Sequence, residues 1–337
     1  MDAADLPPPP SPDAIERALE SLSGHIERTP VRAWTPDDAG ARLPDCDLHL
    51  KLELFQRTGT FKVRGALTNL LGAPAEAVAG GVTTVSAGNH AIAVAYAART
   101  LDTSAHVVML ESANPGRVAR CRSYGARIDL ARTGAEGFAR AREIASREGR
   151  LFIHPFEGEA TILGSATLGL ELIDQLPELD AVVVPVGGGG LIAGVAAAVK
   201  TATPRCAVYG VEPVGADSMS RSLAAGEPVS IDEVRTVADS LGAPHAAPYG
   251  FSLVRRYVDD VVRVDDDALC RAMRLLFADA KLVTEPASAA PLAALAGPLR
   301  ERLDGARVAL LVSGSNIDRA TFASLLTRGE ADGGGTA

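Results

Sequence analysis

Lys62 lies in the nonapeptide Thr58-Gly59-Thr60-Phe61-Lys62-Val63-Arg64-Gly65-Ala66. It follows an alternating segment, Asp47 to Leu54, whose leucines at 48, 50, 52 and 54 share one face and predict a strand. A Gly-flanked turn then delivers the lysine, beside an aromatic ring, to the start of a helix. A lysine at the end of a buried strand loses hydration, which disfavours its ammonium form. The uncharged amine can form a Schiff base with an aldehyde, the usual chemical use of such a lysine. By spacing alone a surface lysine on an amphipathic helix fits better; stretches further along decide otherwise.

The second stretch is Ser86-Ala87-Gly88-Asn89-His90, directly after the apolar run Val82 to Val85. Small residues leading into a helix expose backbone N–H groups that suit a carboxylate or phosphate, and Asn89 can donate to a ring hydroxyl. An ordinary Asn-capped turn reads the same way, and His90 by itself reads as a structural histidine. The third stretch is Gly187-Gly188-Gly189-Gly190-Leu191, between Ala181–Val186 and a small-residue helix. Four glycines can set successive N–H groups against an anion, and so much backbone freedom is costly without a ligand. Ser313, at the end of the last apolar run, can hydrogen-bond an aromatic ring nitrogen or cap the following helix. Glu285, before Pro286, opens another turn into a helix, where a carboxylate is comfortable.

A nicotinamide oxidoreductase is the rival from a different class. Gly188, Gly190 and Ala193 satisfy G-x-G-x-x-A, and Glu212 stands where a ribose-binding acid belongs. That reading leaves Lys62 and the Asn89 turn unexplained.

The elements that must position these residues alternate. Apolar runs at 82–85, 106–110, 127–130, 151–154, 181–186, 206–211, 258–264 and 307–312 predict strands. Helical patterns near 89–101, 116–124, 135–148, 160–176, 191–200, 266–281 and 316–327 lie between them. Such alternation predicts an α/β protein of open, mostly parallel twisted sheets with helices on both faces. Ser11 and Pro12 predict the cap and first residue of a helix with Ile15, Leu19, Leu22 and Ile26 on one face, ending before Thr29-Pro30. Residues 1–12 and 329–337 are expected to be flexible ends. With 47% hydrophobic residues but only 4% aromatic, the core is expected to be filled by Ala, Val and Leu. A net charge of −9 argues against nucleic acid and anionic membranes. The acidic N-terminus has no signal-peptide core, no apolar run is long enough to span a bilayer, and the cysteines at 46, 121, 206 and 270 form no CxxC pair. A cytoplasmic enzyme without disulfides is the expectation.

Taken in order, these motifs, with Lys51-x-Glu53, Val211-Glu212-Pro213 and Ser313-Gly-Ser-Asn316, resemble the pyridoxal-phosphate enzymes of the threonine dehydratase and serine racemase group, fold type II, tryptophan-synthase-β-like. The resemblance runs from about Ile15 to Leu326. It implies that Lys62 is the catalytic Schiff-base lysine with Phe61 packed near the cofactor. It further implies that Asn89 holds the 3-hydroxyl, Gly187 to Gly190 with Leu191 the phosphate, and Ser313 the pyridine nitrogen, with Glu285 also at the cofactor. Ser86, Ala87, Gly88, Asn89 and His90 would receive the amino-acid substrate. A large domain of 1–72 plus 162–327, a small domain of 80–160 and a homodimer are implied, and the chain ends too soon after Ser313 for the C-terminal regulatory domain of biosynthetic relatives.

The implied reaction is β-elimination of L-threonine, L-serine or a related β-hydroxy amino acid to a 2-oxo acid and ammonia; a racemase or a 3-hydroxyaspartate dehydratase is the alternative within the group. Racemase-like relatives carry a serine where this chain has Ala87, which favours elimination. They also hold a divalent cation at positions matching Glu212, Ala216 and Ser218; the serine replaces a carboxylate ligand, so no cation is expected. Ile92 and Ser315 depart from the residues usual in the group.

Overall fold

The computed structural model describes residues 6–36 and 43–331. Its strands are β1 (Val31–Ala33), β2 (Asp47–Leu52), β3 (Val82–Val85), β4 (Ala105–Leu110), β5 (Arg127–Ala131), β6 (Leu151–Phe152), β7 (Ala181–Pro185), β8 (Ala207–Pro213), β9 (Asp260–Val264) and β10 (Arg307–Val312). They form a six-stranded sheet in the order β1-β2-β10-β7-β8-β9 and a four-stranded sheet in the order β5-β4-β3-β6. All pairings are parallel except β1 with β2. Parallel pairing requires crossovers, and the helices between strands supply them and cover the sheet faces. The alternating side chains of β10 show it: Val308, Leu310 and Val312 join one core, while Ala309 and Leu311 join the core on the opposite face.

Local differences from the sequence reading have local causes. β2 ends at Leu52, and Glu53–Phe55 is a 3₁₀ turn that aims the chain toward Lys62. The expected strand at 151–154 shortens to two residues, because Pro155 has no N–H to offer and His154 Nδ1 instead accepts from the Phe156 and Glu157 amides at 3.3 and 3.0 Å. The first helix, Pro12–Ser21, is capped by Ser11 as expected but stops ahead of Gly24, whose φ of +77° no helix tolerates. Where they are described, the chain ends make specific contacts. Leu6 packs against a core, and the Pro8 carbonyl accepts from the Tyr249 hydroxyl at 2.9 Å. The last helix runs Arg319–Ala331, with Gly329 so close to the Cys270 carbonyl that a Cβ would sit 2.5 Å from it. The remainder of the expected flexible ends, 1–5 and 332–337, lies outside the described residues.

Helix Lys62–Leu71, which begins at the lysine, is held by two devices. Gly65 meets Gly164 of helix Glu159–Gln175 backbone to backbone; a Cβ on Gly164 would lie 2.5 Å from Gly65 Cα. Beneath it lies a wholly buried ionic network. Arg64 donates to both oxygens of Glu53 at 2.9 and 2.8 Å and to Glu171 at 2.9 Å, and Lys51 donates to Glu171 at 2.5 Å. The alternation in β2 puts Lys51 on the face opposite the leucines, and it is fully buried there because both faces of this sheet are covered.

Candidate active site

Four loops meet where the two sheets face each other. The turn before Lys62 docks on the end of β10: the Phe61 amide donates to the Ser313 carbonyl at 3.1 Å, and Thr60 bridges Gly314. Lys62 Nζ donates to the Pro155 carbonyl at 2.5 Å, in the loop after β6. Burial lowers its pKa to about 8, a shift that Glu285 only partly opposes. The uncharged amine that a nucleophile or base requires is therefore reached within about a pH unit of neutrality, well below the range of an ordinary lysine.

Asn89 opens helix Asn89–Thr100 and is buried. Its Nδ2 donates to both carboxylate oxygens of Glu285 at 2.9 Å, and its Oδ1 accepts from Asn316 Nδ2 at 2.9 Å. Burial, partly offset by Asn89, pushes the Glu285 carboxyl up to about 7. Ser313 Oγ is 3.1 Å from Ser288 Oγ, which also accepts from the Gly314 amide at 2.6 Å and donates to its carbonyl at 2.7 Å. Ser288 carries no motif that sequence reading would select; only its place opposite Ser313 marks it.

The glycine loop turns through Gly189, whose φ of +91° is left-handed, into helix Gly190–Ala202. Gly188, Gly189 and Gly190 are buried, and their amides donate to no acceptor among the described residues. Buried, unpaired N–H groups at a helix N-terminus are an anion site by electrostatics alone. The Phe156 ring packs on this loop, so a Cβ at Gly188 would lie 2.3 Å from the ring. A small cavity beside Lys62 is lined in part by Phe61, Gly65, His90, Phe156 and Leu191.

In the Ser86–Asn89 turn, Ser86 Oγ accepts the Gly88 amide at 3.1 Å, while the Ala87 and Asn89 amides have no acceptor among the described residues. Ser86, Ala87 and Gly88 remain partly exposed. His90 is buried, its Nε2 lies 3.3 Å from the Ile153 carbonyl, and burial followed by the Lys62 charge holds its pKa well below the ordinary imidazole value. A neutral ring already engaged with backbone is a packing element of the turn.

Sequence reading also missed a ladder of rings. Phe138 and His154 lie 5.2 Å apart, His154 and Phe156 4.7 Å, and Phe156 and His245 5.5 Å. Burial, then the His245 charge, lowers the His154 pKa to about 3, so its ring is neutral among the others.

Glu212 is engaged by the helix that follows it rather than standing free as the dinucleotide reading requires. One carboxylate oxygen accepts from the Met219 amide at 2.8 Å, and the other from Ser220 N and Oγ at 2.8 and 2.7 Å. Both cap the N-terminus of helix Ser218–Ala225, a structural use of the carboxylate rather than a ribose contact. Burial raises its pKa to about 7. Ala216 could offer only its backbone carbonyl, Ser218 Oγ donates to the Ala243 carbonyl at 3.2 Å, and Asp217 pairs with Arg221 and Arg263. Among the described residues no group of three or more His, Cys, Asp or Glu side chains could hold a metal ion.

Comparison with known proteins places the chain among characterised enzymes. The family described as pyridoxal-phosphate dependent enzyme matches residues 22–314. A phenylserine dehydratase from Ralstonia pickettii is 50% identical over 329 residues, covering 98% of this chain and 100% of that protein. An L-threonine ammonia-lyase from Geobacter sulfurreducens is 40% identical over 283 residues, covering 84% and 70% respectively. The solved structure of maize serine racemase superposes with a TM-score of 0.88 at 34% identity, covering 95% of this chain and 98% of that one.

Proposed function

The chain belongs to the pyridoxal-phosphate dependent enzymes, and from that premise we propose that it eliminates ammonia from a β-hydroxy-α-amino acid, L-threonine and L-serine among them, to give a 2-oxo acid. The observation that carries the proposal is the convergence on Lys62 of one carboxylate-bound asparagine, one neutral serine hydroxyl and a run of unpaired glycine amides. This donor set fits the cofactor group by group. Lys62 Nζ would hold its aldehyde carbon, the Gly188 to Gly190 amides its phosphate and Ser313 its ring nitrogen, and Asn89 would exchange a bond to Glu285 for one to its ring hydroxyl. Bound there, pyridoxal phosphate supplies an electron sink that acidifies the substrate's α-carbon proton.

The chain's own residues do the rest. The unpaired Ala87 and Asn89 amides, at a helix N-terminus, receive the substrate carboxylate. Lys62, with a pKa of about 8, removes the α-proton as a base matched to neutral pH. Ser313 presents a neutral hydroxyl where a carboxylate would keep a ring nitrogen protonated. The β-hydroxyl departs as water, taking up the proton that Lys62 has removed. Ala87 has no proton to return on the opposite face, so elimination is favoured over racemisation. Water then releases ammonia from the enamine product, so that L-serine yields pyruvate and ammonia.

One observation favours a bulkier β-substituent as well. The Phe138–His154–Phe156 rings stand beside the loop that holds Lys62, and the relative that matches at 50% identity is a phenylserine dehydratase. The assay is 2-oxo acid formation from L-threonine, L-serine, threo-phenylserine and 3-hydroxyaspartate. Turnover of at least one is expected; product from none would refute the reading. A homodimer in a reducing compartment accompanies it, supported by family habit and by four cysteines that are all free thiols; sedimentation tests the former. No helix among the described residues is long and apolar enough to cross a membrane.

A further inference from the structure

Arg117 lies outside every motif discussed so far, yet its guanidinium touches three parts of the site. It extends from helix Pro115–Ser123, on the four-stranded-sheet side, across to the six-stranded-sheet side. NH1 donates to Asp239 at 2.5 Å, and NH2 donates to the Asn316 carbonyl at 3.1 Å and more weakly to Asp239 at 3.4 Å. The same group lies on the Ser86–Asn89 turn: a Cβ at Gly88 would stand 3.3 Å from Arg117 NH1 and 3.7 Å from its Cζ. Asp239 opens the 3₁₀ turn Asp239–Leu241, which packs on the glycine loop, where a Cβ at Gly187 would lie 3.2 Å from Leu241 Cα. Asn316 is the residue that orients Asn89. One turn earlier, Asn114 adds a second crossing contact, donating to Asp318 at 3.0 Å. Burial alone would disfavour the charge on Arg117, but Asp239, Glu285 and Asp318 more than restore it.

We propose that Arg117 is a positioning residue for carboxylate recognition: clamped by Asp239 and the Asn316 carbonyl, it fixes the Ser86–Asn89 turn against the opposite wall of the cleft so that the turn's free amides meet the substrate carboxylate. The inference rests on the assignment of that turn as the carboxylate site. Two features make Arg117 suited to this. Its planar fork holds two acceptors in fixed directions, which the single ammonium of a lysine does not reproduce, and its residual positive field lies beside the place where the anion arrives. The bare Gly88 backbone permits the approach, since any side chain there would press on the guanidinium.

The test uses the cofactor-loaded protein and two ligands that cannot undergo β-elimination of a hydroxyl, L-alanine and ethylamine, which differ by the carboxylate. Affinities are read from the change in visible absorbance. In the wild type L-alanine should bind more tightly than ethylamine. Arg117→Gln should weaken L-alanine at least tenfold and ethylamine less than twofold, raise KM for the eliminated substrate in step with L-alanine, lower kcat less than threefold, and move the thermal midpoint by less than about 2 °C. Arg117→Lys, which keeps the charge but not the fork, should fall between, and it decides the matter if the glutamine variant does not fold. Equal losses for the two ligands, or unchanged L-alanine affinity in both variants, would overturn the proposal. A wild type that does not prefer L-alanine would instead sink the assignment of the turn, and the proposal with it.

Discussion

Removing Glu171 should expose how much the site depends on charges buried beneath it. This carboxylate accepts from Lys51 at 2.5 Å, Arg64 at 2.9 Å and the Thr29 amide at 3.1 Å, and Lys51, Arg64 and Glu53 beside it have no solvent exposure. Glu171→Ala leaves two buried cations facing the single carboxylate of Glu53. Breaking a buried pair from one side costs about 3–5 kcal/mol, mostly because the surviving charge is left uncompensated. For 337 residues the unfolding entropy is about 0.7 kcal/mol/K, so the thermal midpoint should fall by about 4–7 °C.

The pH dependence gives a second signature. Burial already lowers the Lys51 pKa below 10.5, with Glu171 the largest influence opposing it, so the variant lysine is lowered further. A lysine with a depressed folded pKa costs nothing above its unfolded value and most below its folded one. The deficit of the variant should therefore narrow as pH rises toward 10.5. Urea unfolding at pH 7 and pH 9.5 measures this, and Lys51→Met/Glu171→Leu, which keeps the Arg64–Glu53 pair, should recover at least half the loss. A single-variant cost under about 1 kcal/mol, or a double variant no better than the single, would refute the argument. Because Lys62 lies one half-turn from Arg64 on the same helix, activity should fall along with stability.

Further expectations concern the site itself. The apoprotein should take up pyridoxal phosphate, trapped by borohydride at Lys62, at a rate that rises with pH to a midpoint near 8, because the uncharged amine reacts and its pKa is lowered to about 8; a midpoint near that of ordinary surface lysines would contradict the assigned environment. Gly188→Ala, whose Cβ would lie 2.3 Å from the Phe156 ring, should weaken cofactor retention at least tenfold, about 1.4 kcal/mol, in a dialysis assay. D-Serine should stay negligible beside pyruvate in the L-serine reaction and rise in Ala87→Ser; chiral chromatography showing D-serine forming as fast as pyruvate in the wild type would reverse the choice between elimination and racemisation.

The α/β class, most strand positions and the Lys62, glycine-loop and Ser313 motifs are legible in the chain because each is a local signal. An apolar run such as Ala181–Val186 must be buried on both faces wherever it lies, and four consecutive glycines have few uses other than a backbone that wraps a ligand. Periodicity reports which face of an element is apolar, not what the polar face meets. Alternation in β2 therefore puts Lys51 on the face opposite the leucines without naming its partner, and only tertiary structure brings Glu171, 120 residues away, to neutralise it. The same holds for Asn89 with Glu285, separated by 196 residues, and for Arg117 with Asp239, separated by 122. Residue types and spacing state which groups can do chemistry. The pairing of buried charges depends on distances that exist only after two sheets, drawn from interleaved parts of the chain, have closed around one cleft.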